Sequence, residues 1–194
     1  MVTQEVLHIV ESRLAELKEQ QDQKSAVLAN LRKNIKDYPR GLLQLKARME
    51  AELERQVGRP IRIDILADVL ELTDEHWRGA VESYLNVQKF YLLVDPAYYK
   101  NALSIFDRAK KEFGFASFGM VDIGKLCERK RVDISDNSLA KKLDTKNELA
   151  RSYIGYLLGR VVCCEAAEQL CNFKTAITAD GLLYQGYAVI VGKP

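Results

Sequence analysis

With 194 residues, 47% of them apolar, the chain can hold one globular domain plus an extended element, or two small domains. Lys and Arg number 29 against 27 Asp and Glu, a net charge of +2, which excludes a polycation that binds nucleic acid by overall charge alone. Four cysteines with no C-x-x-C and two histidines, His8 and His76, exclude a zinc site of ordinary spacing, so neither a metal nor a cofactor is expected.

The first 38 residues carry one heptad stripe. Leu7, Val10, Leu14, Leu17, Leu28, Leu31 and Ile35 fall on a single seam, with Gln21 and Lys24 interrupting it. A seam sustained over several heptads predicts a coiled-coil helix in need of a partner, roughly 55 Å long at about 1.5 Å per residue. A single amphipathic helix packed on its own domain is the alternative. Pro39-Arg40-Gly41 breaks the pattern, and Leu42, Leu45, Met49, Leu53 and Val57 then resume it up to Gly58. The expected division is a coiled-coil arm over 1–57, kinked or folded into a hairpin at 39–41, and a globular part over 58–194. A chain beginning near Arg59 is accordingly expected to fold.

From Ile61 the period changes. Ile61, Ile63 and Ile65 alternate as in a short strand, and an apolar run continues from Leu66 to Leu72. Thr73-Asp74-Glu75 reads as a helix start with Thr73 as its cap, and Trp77, Val81, Tyr84 and Leu85 as the buried face that follows. Phe90–Val94 is a buried strand. Asp95-Pro96 opens a helix through Leu103, Ile105 and Phe106 to Phe113, closed by Gly114. A strand follows near 115–121. The segment 122–144 is polar and reads as a charged connection. A helix over Leu149–Leu158, a strand at Arg160–Cys164, a short helix at Ala166–Asn172 and strands at Thr175–Thr178 and Leu182–Val191 complete the chain. The class is therefore α/β (α+β): two small mixed lobes, about 58–121 and 145–194, preceded by a coiled-coil helix.

Met1 leads into a polar helix and no run is long enough to span a bilayer, so a cytoplasmic chain without membrane contact is expected. Cys127, Cys163, Cys164 and Cys171 are then expected to be reduced and buried, with the adjacent Cys163 and Cys164 on opposite faces of a strand. No histidine is placed to activate a nucleophile, so no catalytic residue is assigned and an enzyme is not expected. Charge is uneven. Residues 59–99 hold four basic and seven acidic side chains, whereas residues 100–151 hold twelve and eight. Arg108, Lys110 and Lys111 end one helix, and Lys125, Arg129, Lys130 and Arg131 cluster in the connection. These are the candidate phosphate contacts, sequence-independent and weak; the alternative is an ordinary solvated surface.

Leu66-Ala-Asp-Val-Leu-Glu-Leu72, the helix Trp77-Arg-Gly-Ala-Val-Glu-Ser-Tyr-Leu85 and the strand Tyr91-Leu-Leu-Val94 are followed by Tyr156-Leu-Leu-Gly159, Val161-Val162 and Thr178-Ala-Asp-Gly181, with Gly186 and Gly192 after them. Over about residues 58–192 this order resembles the hinge domain of structural-maintenance-of-chromosomes (SMC) proteins. Asp74-Glu-His-Trp-Arg-Gly-Ala-Val-Glu82 and Asp180-Gly-Leu-Leu-Tyr-Gln-Gly186 are most similar to the SMC-like ATPase subunit of bacterial Wadjet-type, MksB- or MukB-like condensins. The family commonly has a glycine where this chain has Asn86.

The resemblance implies a dimerisation hinge of a DNA-entrapping, loop-extruding ATPase in plasmid defence or chromosome organisation. It implies a homodimer, an antiparallel coiled-coil arm supplied by sequence beyond Pro194, and weak, non-specific contact with double-stranded DNA. The ATPase elements would lie elsewhere, since no phosphate-binding G-x-x-x-x-G-K-[ST] loop is present. Gly181, Tyr184, Gly186, Tyr187, Val189, Val191 and Gly192 are the expected dimer contacts. The reading from a different class is a coiled-coil adaptor with an α/β protein-interaction domain and no DNA role.

Overall fold

The computed structural model describes residues 38–39, 41–113, 118–128 and 133–191, together with Arg13 and Lys18, which are helical and exposed. The heptad seam residues Leu7, Val10, Leu14, Leu17, Leu28, Leu31 and Ile35, and also Arg129, Lys130, Arg131 and Gly192, lie outside the described residues. The chain divides into two units, Met1–Pro39 and Arg40–Pro194.

The first element of the second unit, α1 (Leu42–Val57), begins at Gly41 (φ 85°) and ends at Gly58 (φ 78°), whose N–H donates to the Glu54 carbonyl. Both glycines take left-handed backbone, which closes the helix at either end. Leu42, Met49 and Leu53 are 0% exposed. They pack toward α3 (Tyr99–Phe113), whose Ala102, Ile105 and Ala109 are also buried. The two helices run antiparallel. Arg48 donates to Glu112, Arg108 to Glu52 and Asn101 to Gln56, in reverse order along the pair. The stretch expected to close the arm thus belongs to the second unit, and the break falls at Pro39/Arg40. Leu103 is exposed, because the buried face of α3 runs through 102, 105 and 109.

Three short strands, β1 (Asp64–Ile65), β3 (Leu92–Leu93) and β4 (Met120–Val121), form one sheet in the order β1-β3-β4. β1 and β3 are antiparallel; β3 and β4 are parallel, with α3 as the crossover. Asp95 accepts from the Ala97 N–H and Pro96 occupies the first turn, as expected. β2 (Glu71–Leu72) pairs antiparallel with β5 (Leu143–Asp144). Before α2 (Arg78–Leu85) the cap is Asp74, one residue later than expected: its carboxylate accepts from the His76 N–H. Asn86 ends α2 with φ 43° and ψ −123°, a positive-φ position of the kind that favours glycine.

The last sheet has the order β6-β7-β8-β9, with β6 (Val162–Cys164), β7 (Thr175–Thr178), β8 (Leu182–Gln185) and β9 (Ala188–Val191). β6 and β7 are parallel and the rest antiparallel. The single strand expected over Leu182–Val191 is therefore a hairpin. α4 (Ile123–Glu128) packs against α5 (Glu148–Leu158), and Asn147 caps α5 by accepting from the Leu149 and Ala150 N–H groups.

One core runs through both halves. Leu66, Trp77, Val81 and Leu93 pack in the same cluster as Ile154, Leu158, Cys163 and Ile177. Ile123, Leu139 and Ala140 belong to it too, so the segment expected as a polar connection supplies part of the interior. Further bonds join the halves: Thr145 Oγ1 donates to the Val69 carbonyl, Asn147 Nδ2 to Asp64 (2.8 Å) and the Tyr153 hydroxyl to Gln88 (3.0 Å). Gly79 and Gly181 let α2 approach the β7–β8 turn; a Cβ at Gly79 would stand 3.2 Å from the Ala179 carbonyl oxygen.

Candidate functional site

The two edges of the four-stranded sheet differ. Alongside β6, Ser138 bridges antiparallel to Val162, Leu139 N–H donates to the Val161 carbonyl, and Cys163 N–H donates to the Asn137 carbonyl. That edge is covered. Among the described residues nothing pairs with the outer side of β9. β9 carries no charge, proline or bulge of the kind that blunts an open edge. Its side chains face solvent, Val189 at 58% exposure and Val191 at 80%.

The hairpin that builds this edge turns on two residues. Gly186 (φ 58°) and Tyr187 (φ 63°) are both left-handed, the backbone that a two-residue turn between right-twisted strands requires. The register places Leu182 opposite Val191, Leu183 opposite Ile190, Tyr184 opposite Val189 and Gln185 opposite Ala188. Directly opposed residues share a face. One face therefore runs from Cys164, Leu170 and Ala176, through the half-buried Leu182 and Tyr184, out to Val189 and Val191. The other carries Leu183, packed on the main core, and the exposed Ile190.

Tyr184, Tyr187, Val189 and Val191, expected as interface residues, are thus gathered at this edge. Gly181 is not: it is buried beside Ser83, 3.4 Å from a Cβ built on it. Gly186 serves the turn, which requires its positive φ; within the chain a Cβ there meets nothing within 4 Å. Ile190 was not among the expected contacts. Reading 182–191 as one strand hid the turn, and the only signal for it was Gly186 interrupting an otherwise apolar alternation.

The basic candidates fall in two places. Arg108, Lys110 and Lys111 are exposed on the last turns of α3, while Lys125 is exposed on α4. A Cβ on the neighbouring Gly124 would lie 3.5 Å from Pro96, before the start of α3. The two places are therefore roughly 20 Å apart along that helix at about 1.5 Å per residue. Arg108 is 2.7 Å from Glu52 and Lys111 is 2.6 Å from Asp107. The hydrogen bond from Arg48 holds the Glu52 carboxyl below the usual carboxylate range, and Arg108 adds to this. Part of the cationic charge is thus already matched within the chain.

Cys163 and Cys164 do point to opposite faces, one into the main core and one into the smaller cluster with Leu170 and Ala176. Burial pushes the Cys163 thiol up to about 11, against partial relief from Lys142. Cys127 and Cys171 are exposed, so the expectation of four buried thiols holds for two only. His76 lies on the surface, 3.5 Å from Glu165. The described residues contain no group of three or more side chains suited to a metal ion, and no helix among them is long and apolar enough to cross a membrane.

No family model matches this sequence, and no curated protein does. Solved structures do match. The Smc hinge domain of Pyrococcus furiosus with an extended coiled coil superposes at a TM-score of 0.55, with 18% identity over 97% of this chain and 72% of that one. This chain has the fold of an SMC hinge domain. A second structure of the P. furiosus SMC hinge domain gives a TM-score of 0.51 and 21% identity over 79% of this chain and 87% of that one. The folded elbow of cohesin gives 0.57 and 14% identity over 99% of this chain, which spans 29% of that one. The hinge fold accommodates the α+β class expected from the sequence, and the open β9 edge lies on its four-stranded sheet.

Proposed function

We propose that this hinge-fold chain is a dimerisation hinge: two copies join through their globular units and tie together two long coiled-coil arms. The observation that carries the reading is the open, uncharged β9 edge on this fold. A second strand laid against it would satisfy the free backbone groups and cover Val189 and Val191. The solved Pyrococcus hinge with its extended coiled coil supports an arm on this chain as well, formed by the residue 3–38 seam and an antiparallel helix from sequence beyond Pro194.

The parent protein is then an SMC-like ATPase of the bacterial Wadjet-type, MukB-like kind, cytoplasmic, acting in plasmid defence or chromosome organisation. The hinge contributes no chemistry. It closes a ring, so that nucleotide-driven motion elsewhere acts on entrapped DNA. Contact of the hinge with DNA is weak, because the exposed cations sit in two separated places and two of them already have acidic partners. Binding would rest on phosphate contacts and fall steeply with salt. Substituting Arg129, Lys130 and Arg131 by glutamate should abolish the shift in DNA anisotropy while leaving the thermal transition in place. An unchanged titration in that triple variant would remove the DNA contact from this segment. For the dimer itself the test is association of the globular unit in sedimentation.

A further inference from the structure

We infer that the fold contains a relay from α1 to the cap of α5, with Glu50 as its positioning residue. Arg48, Glu52 and Gln56 are spaced four apart on α1 and meet α3. Lys46 and Glu50 belong to a different stripe of the same helix. There Glu50 Oε1 accepts from Lys46 Nζ (2.8 Å) and from the backbone N–H of Ile63 (2.9 Å). Ile63 directly precedes β1 and is 0% exposed. A buried N–H that loses its acceptor is costly, so the carboxylate and this peptide unit keep together.

The next residue, Asp64, is held from the second half of the sequence. Its Oδ1 accepts from Arg62 Nε (2.6 Å), and its Oδ2 accepts from Asn147 Nδ2 (2.8 Å). Asn147 spends its side-chain oxygen on the cap of α5, accepting from the N–H groups of Leu149 (2.9 Å) and Ala150 (3.1 Å). Its own N–H donates to Thr145 Oγ1 (3.1 Å), whose hydroxyl donates to the Val69 carbonyl.

Two rigid planes make these contacts a relay. The peptide unit ending at the Ile63 nitrogen is planar, so α1 fixes the entry into β1 and with it the position of Asp64. The Asn147 amide is planar too. One end is tied to Asp64 and the other to the first turn of α5, so a shift of Asp64 turns the capping oxygen away from its two donors. α5 then loosens at its start, where Ala150 and Tyr153 enter the core. α1 follows directly on the Met1–Pro39 unit in the chain, so a displacement that reaches α1 is passed on to α5 by this route. The relay is internal to one chain and holds whether or not two copies associate.

Hydrogen exchange of single amides in the full chain, read by NMR, tests it. Glu50→Ala should speed exchange of the Leu149, Ala150 and Arg151 amides at least threefold and leave Ile177 in β7 unchanged. Glu50→Asp, a methylene too short to keep both bonds, should give the same local pattern in milder form. Glu50→Gln still offers an oxygen to the Ile63 N–H and should restore the original rates. Asn147→Ser keeps a capping oxygen but cannot reach Asp64. In that background Glu50→Ala should no longer affect α5. Three results overturn the relay: α5 amides that keep their rates in Glu50→Ala, an equal acceleration in the Asn147→Ser background, or an acceleration that includes Ile177 and so reports only general loss of stability.

Discussion

Cys163 and Tyr153 are the residues whose burial has a direct consequence for stability. Burial raises Cys163 from the ordinary 9.0 to about 11, and Tyr153 from 10.0 to about 12. In both cases the neutral form is the one the core accepts, so the unfolded chain deprotonates first. Their contribution is whole below pH 9 and is lost as pH rises, through the 9–11 window for the thiol and 10–12 for the phenol. The melting temperature should therefore fall across pH 9–11, and Cys163→Ala, less stable at pH 7, should fall less over that interval. Equal slopes in the two proteins would contradict the assignment. At neutral pH an alkylating reagent should modify Cys127 and Cys171 and spare Cys163 and Cys164 until the chain unfolds. Tyr187 carries backbone strain, at φ 63° with 95% of its surface exposed. Asparagine tolerates this conformation better, so Tyr187→Asn should raise the stability of the globular unit by about 1 kcal/mol, read by urea denaturation.

At the scale of elements, α1 is the segment whose role changed most between sequence and structure. The spacing of Leu42, Leu45, Met49 and Leu53 announces a helix with one apolar face, and that much was legible. What the face meets was not, because the same stripe suits a coiled-coil seam and a globular interior. The deciding partner, the Ala102, Ile105 and Ala109 face of α3, is distant in the sequence, and two of its three residues are small side chains that do not advertise a face. With Met49 fully buried, Met49→Ala should cost roughly 2–5 kcal/mol. A chain beginning at Arg59 should lose its cooperative transition, contrary to the expectation from sequence; retention of a sharp melt would show that α1 is dispensable. The β8–β9 hairpin was missed for a related reason. Gly-Tyr is not the Asn-Gly or Asp-Gly signal of such turns, and only Gly186 betrayed it. By contrast, the Asp95-Pro96 start and the alternation of Ile61, Ile63 and Ile65 were legible, since local capping and burial decide them without distant partners.

At the scale of the molecule, the main core draws on both halves of the sequence, from Leu66 to Ile177, beside a smaller cluster of Cys164, Leu170 and Ala176. The bonds from Thr145, Asn147 and Tyr153 to the first half join the two parts of the sequence, so this unit should melt in a single transition. Asn147→Ala removes the α5 cap and the bond to Asp64 together and should lower stability by about 1–2 kcal/mol without splitting the transition. Two resolved transitions in calorimetry would mean that the halves are separate lobes after all. A unit whose four-stranded sheet has one covered and one open edge is suited to joining another copy. Sedimentation of residues 40–194 over a range of concentrations is the decisive measurement. A reversible dimer that Val189→Pro converts to a folded monomer is the expected result; an unmutated unit that remains monomeric at the highest concentration would contradict the hinge assignment.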